Sequence, residues 1–251
     1  MRYKEYGNNK KDTIVLIHGG GLSWWNYRKV GELLQSRYHV VLPVIDGHAD
    51  SDKPFTTIED NAEEIIEFVD EHFNGHVLMI GGLSLGAQIS LEIISQRKDI
   101  CKYALIESAE VIPSSFTNAL IAPSFSLSYG LIRNRTFAGL QFKYLKMDDE
   151  LFEDYYRDTC KITKDNMIAF MKASTSYELK DGIRNTGAMV HIYAGEKETK
   201  SIIKSAEKIH DLIDNSQLTV LKNLYHGEFS INHPADYINE IERIIGRNRT
   251  L

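Results

Sequence analysis

Gly82-Leu83-Ser84-Leu85-Gly86 follows the apolar run at 76–80 and precedes a helical pattern, so a serine stands where a buried strand hands over to a helix. A turn this tight forces the serine into a strained backbone conformation, and side chains two residues to either side would collide unless they were glycines. Such a serine is placed to act as a nucleophile. The string alone also describes an ordinary Gly-rich loop; the flanking strand and helix patterns favour chemistry. Residues 13–17 form a second apolar run, which breaks into His18-Gly19-Gly20-Gly21 and leaves bare backbone N–H groups at the end of a strand. Acyl transfer needs donors aimed at the oxygen that turns negative in the tetrahedral intermediate. The amide of Gly20, with Gly21 as the fallback, would join that of Leu85 in this role.

These features resemble the α/β-hydrolase superfamily, and the resemblance runs nearly end to end. It rests on a strand ending in His18-Gly19, a Gly47-His48 segment within 46–54, and the Ser84 turn. Ala49 and Asp50 depart from the glycine and single residue that many relatives carry before Ser51, which touches loop conformation more than chemistry. The resemblance implies the chain order nucleophile, acid, histidine. Three residues after Gly195, where relatives place the acid, stands Glu198; Glu107, ending an earlier strand, and Glu196 are the alternatives. His226, beyond the last strand and just before a new helix, matches the family's base. Among the other histidines, His18 and His48 read as props for their loops, and His76 and His191 as residues that flank or lie in strands. His39, His72, His210 and His233 read as surface or helix-end positions.

What the resemblance implies is a serine hydrolase acting on a small or medium, apolar carboxylic ester. His226 would take the Ser84 proton, Glu198 would hold the imidazole, and the amides of Gly20 and Leu85 would receive the oxyanion. The same three side chains also serve C–C hydrolysis, lyase, acyl-transfer and peracid chemistry in relatives, and some relatives are slow-turnover ligand receptors. Dehalogenation fits less well, because it uses aspartate in place of Ser84.

Positioning these residues is the task of an alternating strand and helix pattern, which implies a mostly parallel sheet covered on both faces. Strands are expected near 2–6, 13–17, 38–44, 76–80, 102–107, 189–194 and 217–222, and helices near 24–36, 58–73, 85–97, 199–213 and 234–246. The alternation breaks between 110 and 185, where helix-length patterns such as 136–145 and 149–156 occur without strand-like alternation. The expected organisation is therefore an α/β-hydrolase core, 1–109 and 186–251, with an inserted helical cap at 110–185 that selects the substrate. The cap is aromatic-rich, and about two thirds of its rings are expected to pack it onto the core while the rest line a pocket. Of Trp24 and Trp25, one is expected to wall the cleft and the other to anchor a helix.

With 251 residues, 43% hydrophobic and 25% charged, the chain can bury a substantial core. A net charge of −6 argues against nucleic-acid binding as the main role. The two cysteines, Cys101 and Cys160, lie far apart in no metal-ligand spacing, which fits a reducing compartment. With no apolar leader and no stretch near the ~20 residues that span a bilayer, a cytoplasmic protein without membrane insertion is expected. No metal or organic cofactor is implied, the expected partner is a small-molecule ester, and the oligomeric state is not readable from the sequence.

Overall fold

The structure, a computed structural model, describes residues 1–246, so positions 247–251 of the expected 186–251 core segment lie outside it. Seven strands form one sheet: β1 (Arg2–Tyr6), β2 (Thr13–Ile17), β3 (His39–Val44), β4 (Val77–Leu83), β5 (Cys101–Glu107), β6 (Met189–Gly195) and β7 (Ser216–Leu221). Their spatial order is β1-β3-β2-β4-β5-β6-β7, with β1 antiparallel to β3 and every other pair parallel. The helices are α1 (Arg28–Leu34), α2 (Ile58–Phe73), α3 (Leu85–Gln96), α4 (Ser115–Ser128), α5 (Arg135–Tyr144), α6 (Phe152–Thr159), α7 (Lys164–Ser176), α8 (Lys200–Leu212), α9 (Glu228–Asn232) and α10 (Pro234–Gly246).

The two-residue period of a strand sends alternate side chains into two cores. Val15 and Ile17 join the one under α2, α3 and α8, whereas Ile14 and Leu16 join the one under α1 and α10. Helix α3 is buried from Leu85 through Ile94, as befits the helix behind the central strand. Strand β4 runs three residues past its expected end because Gly81 and Gly82 keep pairing with β2 and β5, a ladder that needs only backbone groups. The helix expected at 24–36 splits into a 3₁₀ turn at Trp24–Tyr27 and α1, since Tyr27 leaves helical geometry at φ −107°, ψ 16°.

Between β5 and β6 the chain makes helices α4 to α7 and no strand among the described residues. Phe142, Tyr155 and Phe170 of this segment are buried, and Phe125, Tyr129, Phe152 and Tyr156 pack partly buried against the two cores. His39 is not a surface residue: lying second from the sheet edge it is 2% exposed, with its ring nitrogens on Thr13 Oγ1 and Glu5 Oε2 at 3.2 Å each. Register lines up the strand ends that matter, because Leu83 pairs with Glu107 and Glu107 with Tyr193. The chain therefore leaves β4, β5 and β6 at one edge of the sheet, the edge where open parallel sheets hold their ligands.

Candidate active site

Ser84 is the single residue between β4 and α3, and its backbone is held at φ 54°, ψ −112°. That combination is costly for a residue with a Cβ. It is enforced from both sides: the Ser84 amide donates to Glu107 O at 2.9 Å, and Ser84 O accepts from the Gln88 amide at 3.0 Å. The flanking glycines answer to close approach. A Cβ on Gly82 would sit 2.3 Å from Gly86 C, and one on Gly86 would sit 2.1 Å from Ile17 O.

The Gly-rich loop is wired amide by amide. Gly19 N–H donates to Asn26 Oδ1 at 3.3 Å and Gly21 N–H to His48 Nε2 at 2.9 Å. Gly20 N–H has no protein partner among the described residues. Gly21 therefore does not serve as the fallback donor, since its amide is already spent. Leu85 opens α3, so its N–H has no carbonyl to reach within the helix. Two buried histidines hold the loop. His18 Nδ1 donates to Gly19 O at 2.9 Å while Nε2 accepts from the Ile45 amide at 3.1 Å. Burial keeps both rings neutral, with proton affinity pushed down to about 3 for His18 and about 4 for His48. Phe170 stacks on His48 with ring centroids 4.5 Å apart.

His226 Nδ1 and Glu198 Oε2 are 2.7 Å apart. The Glu198 side chain is 1% exposed, and its other oxygen accepts from the Gly195 amide at 2.7 Å and from Ser108 Oγ at 2.8 Å. Burial disfavours the carboxylate, but the hydrogen bond and charge of His226 and the two further donors outweigh it and hold the carboxyl below its ordinary range. The His226 side chain is 46% exposed; what burial its ring has disfavours its charge, and the hydrogen bond and charge of Glu198 outweigh that and lift its proton affinity. With Nδ1 donating to the carboxylate, Nε2 keeps the lone pair.

Ser84 and His226 line one cavity of about 80 Å³ together with Gly20, and Leu22, Leu83, Leu145, Met147 and Ile231 make its walls apolar. No hydrogen bond joins Ser84 Oγ to His226 among the described residues. The alternative acids stand elsewhere. Glu196 Oε2 accepts from the Asn223 amide at 2.9 Å, and Glu107 is buried with Oε1 accepting from the Ser230 amide at 3.2 Å. Burial pushes the Glu107 carboxyl up to about 7. Neither tryptophan lines this cavity. Trp25 is buried and anchors α6 through its indole N–H on Asp158 Oδ2 at 2.8 Å, while Trp24 packs under Arg28. Ser108 was not foreseen; its only signal is its place one residue past β5, beside the strand that leads to Glu198. Among the described residues no group of three or more His, Cys, Asp or Glu side chains is arranged to hold a metal ion.

Residues 14–240 match the family model described as "Alpha/beta hydrolase family". An uncharacterized hydrolase of Bacillus subtilis (strain 168) is 29% identical over 101 residues, 39% of this chain and 37% of that protein. "Lipase 1" of Psychrobacter immobilis is 28% identical over 129 residues, 48% of this chain and 40% of that protein. The matched region thus spans about two fifths of the length of these curated relatives. A thermophilic esterase from Thermogutta terrifontis superposes with a TM-score of 0.80 at 16% identity, over 98% of this chain and 93% of that one. That likeness concerns the fold.

Proposed function

The chain belongs to the alpha/beta hydrolase family, and from that premise we propose that it is a serine hydrolase cleaving a small or medium, apolar carboxylic ester through an acyl-enzyme on Ser84. One observation carries the reading. An imidazole bonded to a buried carboxylate at Nδ1, and so basic at Nε2, lines the same cavity as a serine on a strained strand-to-helix turn.

In this reading the ester carbonyl enters between Ser84 and the amides of Gly20 and Leu85. Nε2 takes the Ser84 Oγ proton as Oγ bonds to the carbonyl carbon, and the carbonyl oxygen becomes an oxyanion facing the two N–H groups. Collapse breaks the bond to the leaving oxygen, which receives the proton from His226. Water then attacks the acyl-enzyme, its proton passing to His226 and on to Ser84. Glu198 stabilises the imidazolium and fixes its tautomer without itself taking the proton. The Ser84 to His226 hydrogen bond is expected to form in the substrate complex, since such bonds tighten on binding.

The apolar walls support an apolar acyl group, and Leu145 and Met147 come from the 110–185 segment, which we read as the cap. No described helix is long and apolar enough to cross a membrane, and Cys101 and Cys160 are unpaired. We assign the enzyme to the cytoplasm on that cysteine usage. The reading is tested by fluorophosphonate labelling. Ser84→Ala is expected to abolish both labelling and p-nitrophenyl ester hydrolysis, whereas persistent labelling would reject Ser84 as the nucleophile.

A further inference from the structure

The cavity beside Ser84 is small, about 80 Å³. A second cavity of about 450 Å³ shares His226 and Leu145 with it and is otherwise lined by Tyr144, Lys146, Lys197, Glu198, Thr199, Ile202 and Tyr225. The leaving oxygen must lie against the base that protonates it, so the alcohol half of an ester is the half that extends past His226 into this space.

Two ammonium groups lie over one ring there. Lys146 Nζ lies 5.6 Å and Lys197 Nζ 5.2 Å from the centroid of the Tyr225 ring. Among the described residues neither forms an ion pair with a carboxylate, because the nearby acids are engaged elsewhere. Asp148 and Glu150 pair with Lys29, Glu198 with His226, and Glu228 accepts the Tyr225 amide. The backbones that carry the lysines are tied down. Lys146 sits at φ 56°, with its carbonyl accepting from Asn232 Nδ2, and Lys197 N–H donates to Leu224 O at 3.0 Å. A left-handed non-glycine residue clamped by a side chain of another element is a position the fold holds at a cost. In a chain of net charge −6, two positive charges at a mouth that holds the one Glu198 carboxylate leave a local excess of positive charge, which attracts anions.

Building on the serine-hydrolase reading above, we infer that the enzyme takes esters whose alcohol half carries a carboxylate, held by Lys146 and Lys197 beside Tyr225, while a short apolar acyl group occupies the cavity at Ser84. Compact ammonium charges suit a carboxylate that approaches as a point anion.

The test compares kcat/KM for 3-acetoxybenzoate with that for its neutral isostere 3-acetoxybenzamide, in the intact chain and in Lys146→Gln/Lys197→Gln. Lys204→Gln on α8 is the control for lost surface charge. The anionic-to-neutral ratio is expected to fall about three- to tenfold in the double variant, mainly through KM, and to fall in the intact chain as salt is raised; these are the sizes that one or two partly exposed charge contacts supply. The ratio in Lys204→Gln is expected to match the intact chain. A double-variant ratio within twofold of the intact chain, with 3-acetoxybenzamide still hydrolysed, would overturn the carboxylate inference and leave Ser84 chemistry standing. Loss of both esters together with loss of fluorophosphonate labelling in the intact chain would overturn the hydrolase reading and this inference with it.

Discussion

His48 Nε2 accepts the amide proton of Gly21 at 2.9 Å, so a ring 27 residues away in sequence fixes the loop that presents the Gly20 amide. His48 Nδ1 lies 3.1 Å from Asp46 O, which orients the ring so that Nε2 is the acceptor. Burial keeps the ring neutral down to about pH 4, and the bond is lost only as pH falls through that value.

His48→Ala is therefore expected to lower kcat on an activated ester by roughly ten- to a hundredfold with little change in KM, somewhat less than outright loss of one oxyanion donor. His48→Gln, whose side-chain oxygen can accept the same proton, is expected to recover part of the loss. A fall in KM-dependent binding alone, with kcat intact, would mean the loop does not position the donor.

Glu198→Gln is expected to reduce kcat by about 10³–10⁴, since a neutral amide neither enforces the tautomer nor stabilises the imidazolium. In the proposed mechanism His226 must be neutral to take the Ser84 proton, so activity is expected to rise as pH climbs through that group's raised proton affinity. With the carboxylate gone, the acidic limb of the kcat/KM profile is expected to move to lower pH. Glu107→Gln is expected to cost less than tenfold, because that carboxyl bonds to the Ser230 amide and not to the imidazole. Reversal of the two results would transfer the role of acid to Glu107.

The places of Ser84, Glu198 and His226 at strand ends were readable because each follows a strand whose apolar run is a local signal. Contacts that depend on which strands become neighbours were not. Ser108 reaches Glu198 because β5 and β6 pair, and His39 is buried where β1 and β2 flank β3 and Phe73 of α2 packs on its ring. The pairing of Lys146 with Lys197 over Tyr225 joins three segments with no shared pattern. Trp24 and Trp25 stand three and four residues past Gly21, yet Trp25 is buried with its indole N–H on Asp158 of α6 and neither ring lines the cavity.

Strain at Ser84 carries a stability signature. Its φ of 54° with ψ of −112° costs about 1–3 kcal/mol for a residue with a Cβ. Ser84→Gly relieves that strain and loses about 0.5–1 kcal/mol to the freer unfolded chain. The net expectation is a gain of about 1 kcal/mol, read as a rise in Tm of about 2–4 °C over Ser84→Ala, which keeps the Cβ. Equal melting temperatures for the two variants would show that the turn relaxes in solution.

Glu107 stores a pH-dependent cost. Burial lifts its carboxyl from 4.5 to about 7, so between those values the unfolded chain releases a proton that the folded chain retains. The folded state then binds more protons than the unfolded one, and linkage makes stability fall as pH rises across that window. The full loss, reached above about pH 7, is on the order of 3 kcal/mol. Glu107→Gln keeps an oxygen for the Ser230 amide and carries no proton to lose. Its stability in urea is therefore expected to approach or fall below that of the intact chain at pH 4.5, and to exceed it increasingly from pH 5 to 8. A difference between the two proteins that stays constant with pH would mean that Glu107 ionises in the folded state as readily as in water.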